Sequence, residues 1–144
     1  MVTVKKSITI KASAKKIFQF MSKPANMAIV IPNVIRNYNV SKGAIKPGWK
    51  FDWEFAMMGI PLKGKWIIEK YESPKAYSAR TEGMINSTWD YTFSESNGKT
   101  EISLTVDYEI PAKIKNKFSE AVVKGINEKD GARYLNNLKV LLEG

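Results

Sequence analysis

The residues that could do chemistry are few. Asp52 and Glu54 form a carboxylate pair at strand spacing, nominally suited to acid/base work or to a hard metal ion. Lys50, Asp52 and Glu54 alternate with Trp49, Phe51, Trp53 and Phe55, which puts the carboxylates on the wet face, opposite Lys63 and Lys65. Cross-strand salt pairing is the better account of them. The chain contains no cysteine and no histidine. That removes thiol nucleophiles, disulfides, the commonest general base and the commonest transition-metal ligands. Any reaction must use carboxylates, lysine, tyrosine or bound water, and no cofactor or metal site is expected. There is no phosphate-binding glycine loop and no nucleophile elbow. Asn86-Ser87-Thr88 matches a glycosylation acceptor, without meaning in a cytoplasmic protein.

The aromatic load stands out instead. Trp49, Phe51, Trp53, Phe55, Trp66, Tyr77, Trp89, Tyr91, Phe93 and Tyr108 all fall on the inward side of alternating segments. Each buried Trp covers up to ~200 Å², worth about 5 kcal/mol at ~25 cal/mol per Å². Net domain stability is only about 5–15 kcal/mol, so this face cannot be turned to water. It is either solid core or the wall of an apolar pocket. Gly64, Ala79, Ala121 and Gly125 are small residues that would make such space. Tyr77, Tyr91, Tyr108, Thr81 and Ser87 carry hydroxyls that need partners if buried, and a ligand oxygen could supply one.

The elements that must position these residues are legible from periodicity. Val2, Val4, Ile8 and Ile10 read as an opening strand, with Lys6 breaking the row near a strand end or bulge. Ser13 can cap a helix whose inner side is Ile17, Phe18 and Met21, and Pro24 opens a second short helix that ends by Pro32. Asn37–Lys42 is a short, weakly patterned segment. Strands then recur around Trp49–Met57, Leu62–Ile68, Tyr77–Thr81, Ile85–Phe93 and Ile102–Ile110, with Asn97-Gly98 as the strongest hairpin signal.

After Pro111 the period changes to that of a helix. Ile114, Phe118, Ala121, Val122, Gly125 and Ile126 fall on one face, and Leu135, Leu138 and Leu142 on another. The polar run Asn127–Gly131 between them predicts a kink, bulge or break there. One wet sheet face, one dry face and one large apolar helix to cover it make an α+β fold.

With 144 residues the chain is most simply one domain, 1–144. Its start does not read as a signal peptide and no stretch is long and apolar enough to span a membrane, so a cytoplasmic location is expected. Net charge is +9, from 23 lysines and arginines, of which only Arg36, Arg80 and Arg133 are arginine. The lysines are scattered, which fits a solvated surface; the sharper alternative is an acidic protein, RNA or anionic membrane as partner. No DNA is expected.

The element order, the run Ala12-Ser13-Ala14-Lys15-Lys16-Ile17-Phe18 after the first strand, the Pro32-x-Val34 step and the ending Leu135-Asn136-Asn137-Leu138-Lys139 resemble the START-like or Bet v 1-like (SRPBCC, helix-grip) superfamily. Within it the chain looks most like the group of polyketide cyclases/dehydrases and carbon-monoxide-dehydrogenase-related proteins. The resemblance spans essentially the whole chain, and its motifs are structural punctuation, specific for fold and weak for function. It implies a curved antiparallel sheet of six or seven strands wrapped around a long C-terminal helix, with two short helices between strands 1 and 2. It also implies a small apolar or lipid-like ligand bound between sheet and helix. Trp53, Phe55, Trp66, Tyr77, Trp89, Tyr91 and Tyr108 would line the sheet side, and Phe118, Val122 and Gly125 the helix side. A cyclase or dehydratase holding a polyketide-like substrate, with Tyr91 or Tyr108 as acid and bound water as base, is the enzymatic alternative.

Overall fold

The computed structural model of the chain describes residues 1–143. Seven strands and four helices follow in the order β1 (Val2–Ile10), α1 (Ala14–Met21), α2 (Pro24–Val30), β2 (Val34–Tyr38), β3 (Lys50–Met57), β4 (Ile60–Glu72), β5 (Ala76–Gly83), β6 (Ser87–Ser96), β7 (Lys99–Tyr108), α3 (Ala112–Lys115) and α4 (Glu120–Glu143). The strands form one antiparallel sheet in the order β1-β7-β6-β5-β4-β3-β2. Consecutive strands β1 and β2 therefore stand at opposite edges, and α1 and α2 carry the chain between them. The result is a curled half-barrel with α4 along its concave side, the α+β helix-grip architecture that the sequence suggests.

Local chemistry explains most of the elements. The Ser13 side chain accepts from the Lys16 backbone N–H at 3.1 Å and starts α1, whose Ile17, Phe18 and Met21 are buried. Met58-Gly59 and Asn97-Gly98 are two-residue hairpin loops with positive φ at both positions (54° and 79°; 53° and 77°), the twist that matches flanking strands. β2 overlaps the start of the weakly patterned segment Asn37–Lys42. As an edge strand it exposes Ile35 and Arg36, which blurs its alternation.

Lys6 is in no bulge: β1 pairs with β7 in unbroken register, Lys6 opposite Leu104. A methyl group added to Gly131 of α4 would lie 3.4 Å from Lys6 Cγ and 3.5 Å from Val4 Cγ1. The aliphatic stem of Lys6 thus serves as part of the apolar surface under the helix.

The helix itself departs from expectation. α4 is continuous through Asn127–Gly131, and the interruption lies earlier, across residues 116–119. Ser119 Oγ accepts from the Val122 backbone N–H at 3.3 Å and the Ser119 carbonyl accepts from Val123 N–H at 3.1 Å, so a fresh helix starts there. This restart resets the helical phase. Ile114 is fully buried, but in α4 the inward positions are Val123, Tyr134, Leu135, Leu138 and Leu142. Val122, Gly125 and Ile126 turn outward, with Val122 47% exposed.

Gly64 does not create empty space. A Cβ there would lie 2.6 Å from Trp53 Cζ2 and 2.2 Å from the Glu82 carbonyl oxygen, so the Trp53 indole occupies the room the missing side chain leaves. Gly64→Ala is expected to lower stability by about 1–3 kcal/mol or more through overpacking. Gly125→Ala, where an added methyl meets nothing within 4 Å, should raise it by about 1 kcal/mol through helix propensity. Urea midpoints measure both; a stabilised Gly64→Ala would contradict the packing described.

Candidate functional site

Between the sheet and the middle of α4 lies a partly open cavity of about 150 Å³. Its sheet wall includes Phe51, Trp53, Phe55, Trp66, Trp89, Leu104 and Val106; Met27, Ile31, Pro32 and Val34 close one side, and Asn127, Asp130, Gly131 and Tyr134 come from α4. Phe51 stacks on Trp66 at 5.9 Å with a 15° interplanar angle, and Trp66 meets Trp89 at 5.1 Å. These rings are held by the inward rows of β3, β4 and β6. The register sets Phe51 opposite Trp66, and Trp66 opposite Thr81.

Of the residues assigned to the site from sequence, Trp53, Phe55, Trp66, Trp89 and Tyr108 line this cavity. Tyr77 and Tyr91 do not: both are buried behind its wall. The Tyr77 oxygen accepts from Trp66 Nε1–H at 2.9 Å, and Tyr91 is fully enclosed against Tyr134 at 2.8 Å. Phe118 borders an adjoining groove, which shares Phe55, Met57, Asn127 and Asp130 with the cavity. Val122 and Gly125 line neither, because the restart at Ser119 rotates them to the surface. Gly64, Ala79, Ala121 and Gly125, read as space-makers, are likewise absent from the walls. The helix side is instead the polar run expected to break the helix. The signal for this was present: Val123, Asn127, Gly131, Tyr134, Leu138 and Leu142 recur at steps of three and four.

The polar groups of the wall form ordered chains. Thr81 Oγ1–H donates to the Ile85 carbonyl at 3.0 Å, Ser87 donates to Thr81, and Trp89 Nε1–H donates to Ser87 Oγ at 3.0 Å. Every donor in that chain is used, leaving only acceptor lone pairs. Tyr134 donates to Met27 Sδ at 3.7 Å, and Tyr91 donates to Tyr134. The Tyr108 oxygen accepts from Asn127 Nδ2–H, which leaves the Tyr108 proton free to donate. Burial raises the Tyr108 pKa and the Asn127 bond opposes it; the phenol stays protonated at neutral pH. Trp53 Nε1 is the buried side-chain polar atom without a partner among the described residues.

Asp130 lies where cavity and groove meet. Its carboxylate accepts from Asn33 Nδ2–H at 3.3 Å and stands 3.8 Å from Arg133, whose side chain is 69% exposed. Desolvation raises the Asp130 pKa, and Arg133 only partly offsets this. The pair Asp52 and Glu54 belongs to the outer face. Asp52 pairs with Lys65 at 2.9 Å, whereas Glu54 turns away from Lys63 to Arg36 of β2 at 3.0 Å. Several lysines are also engaged within the chain: Lys16 Nζ donates to the Leu142 carbonyl and Lys139 Nζ to the Thr9 carbonyl. No helix among the described residues is long and apolar enough to cross a membrane.

A family model described as polyketide cyclase / dehydrase and lipid transport matches residues 1–143, and the chain belongs to that family. Among curated sequences no relative matches. Solved structures share the fold at low identity. A START superfamily protein from Mycobacterium smegmatis is 11% identical with a TM-score of 0.79, covering 98% of this chain and 97% of its own. A Zhui aromatase/cyclase from Streptomyces sp. R1128 is 12% identical with a TM-score of 0.77, covering 99% and 93%. A conserved protein from Geobacillus kaustophilus is 13% identical with a TM-score of 0.77, covering 98% and 95%.

Burial pushes the phenols of Tyr77, Tyr91 and Tyr134 far above the ordinary value of 10.0. Their neutral forms favour the folded state, so this stability is complete below about pH 10 and is lost as pH rises beyond it, where the unfolded chain ionises first. In a spectrophotometric titration these three tyrosines should ionise only together with unfolding. Smooth titration of all six tyrosines near pH 10 in folded protein would contradict the burial described.

Proposed function

We propose that the protein binds a small, largely apolar molecule about the size of one aromatic ring, between the sheet and α4, with an oxygen of the ligand placed near Tyr108. The observation that carries this reading is the cavity itself: a void of about 150 Å³ walled by aromatic rings, with an unused phenol donor in its wall. An apolar void of that size accommodates benzene-like guests, while drug-sized ligands need roughly 300–1,000 Å³. A lipid chain would require the sheet and α4 to part. The unpartnered Trp53 Nε1–H in the same wall fits a site completed by a ligand acceptor. The family's description, which couples cyclase/dehydrase activity with lipid transport, agrees with an apolar ligand.

A second, enzymatic reading rests on Asp130. A desolvated carboxylate and a protonated phenol, Tyr108, border one cavity, the combination a base and an acid require. Tyr91 is unsuited to the acid role here, since its proton is donated to Tyr134. Recovery of a bound aromatic guest in chemically altered form would favour this reading over simple binding.

Calorimetric titration with p-cresol tests the binding reading. Saturable one-to-one binding is expected, lost by tenfold or more in Val106→Phe, which fills the cavity from the β7 side. Absence of binding, or equal binding by a folded Val106→Phe protein, would overturn it.

A further inference from the structure

The charge of the cavity wall differs from that of the molecule. The chain carries 23 lysines and arginines against 14 acidic residues, yet among the described residues no basic side chain lines the cavity. The one charged side chain in its wall is Asp130. Arg133, a basic partner of that carboxylate, reaches it only at 3.8 Å from a mostly solvent-exposed position, a pairing that contributes little. Lys6, another basic residue close by, passes its stem beneath Gly131 without entering the wall.

The rest of the wall suits positive charge as well. Phe51, Trp53, Trp66 and Trp89 present aromatic rings, and ring faces attract cations, tryptophan most strongly. The Trp89–Ser87–Thr81 chain has used all its donors on the way to the Ile85 carbonyl and offers only acceptor lone pairs. The donors that remain, Tyr108 O–H, Trp53 N–H and the side-chain amides of Asn37 and Asn127, are all neutral. A carboxylate or phosphate ligand would thus be desolvated beside Asp130 with no cation in the wall to compensate it, a costly arrangement. A ligand ammonium would instead supply the counter-charge that Asp130 lacks.

Resting on the binding reading above, the geometry points to a cationic ligand: a small aryl-alkyl amine, its ring among the aromatic side chains and its ammonium against the Asp130 carboxylate at the mouth. Fatty acids and other anionic amphiphiles are disfavoured by the same arrangement.

The test is a calorimetric comparison of three near-isosteric probes on the whole chain: 2-phenylethylammonium, phenylacetate and ethylbenzene. The expected result is that the ammonium binds at least tenfold more tightly than phenylacetate. Asp130→Asn should weaken the ammonium about tenfold and leave ethylbenzene unchanged. Arg133→Ala, which removes the competing cation from a position outside the wall, should strengthen ammonium binding about twofold and so checks the same claim without altering Asp130. Binding of ethylbenzene with no preference for the ammonium, or a preference that survives Asp130→Asn, overturns the charge inference while leaving the pocket intact. Failure of all three probes to bind removes the pocket reading and this inference with it.

Discussion

The close contact between α4 and β1 at Gly131 is the constraint on which the arrangement of the site depends. At that point the helix backbone lies so near β1 that an added methyl would already touch Lys6 and Val4. Beyond it, Tyr134, Leu135, Leu138 and Leu142 bury the C-terminal half of the helix; before it, only Val123 is buried. Asn127 and Asp130 occupy the stretch between, over the curled sheet, where side chains of modest length leave a void unfilled. A continuous stripe of leucines would have filled that space and produced a solid core.

Aromatic residues define the opposite wall because they can be buried in large numbers while keeping polar handles satisfied. Trp66 donates to Tyr77, Trp89 to Ser87, and Tyr91 to Tyr134. Each of these bonds ties a wall ring, or the ring behind it, to a fixed neighbour, so the wall is preorganised. Trp53, seated on Gly64 with its N–H unpaired, is the exception and marks the place where the wall is incomplete without a guest.

Much of this architecture is legible in the sequence, for local reasons. Strand alternation identified the inward rows, Asn97-Gly98 marked a hairpin, Ser13 a helix start, and the Asp52–Lys65 pairing followed from register. What could not be read depended on longer-range geometry. Period-two alternation tells which face a residue takes but not how far along a curved sheet it lies, so Tyr77 and Tyr91 fell behind the cavity instead of into it. The helical phase failed at Ser119, where a single side-chain cap restarts the helix and turns Val122 and Gly125 outward. Asn127 and Asp130 were passed over because polarity on an inward stripe reads as interruption, although a binding site is where such polarity belongs.

The four tryptophans provide the most direct measurement. Trp53, Trp66 and Trp89 line the cavity, whereas Trp49 lies outside it with its Nε1–H bonded to the Gly43 carbonyl at 3.3 Å. In a two-dimensional ¹H–¹⁵N spectrum, titration with p-cresol should shift the indole N–H signals of the three wall tryptophans and leave that of Trp49 in place. Unchanged wall signals, or a response confined to Trp49, would contradict the account of where this protein holds its ligand.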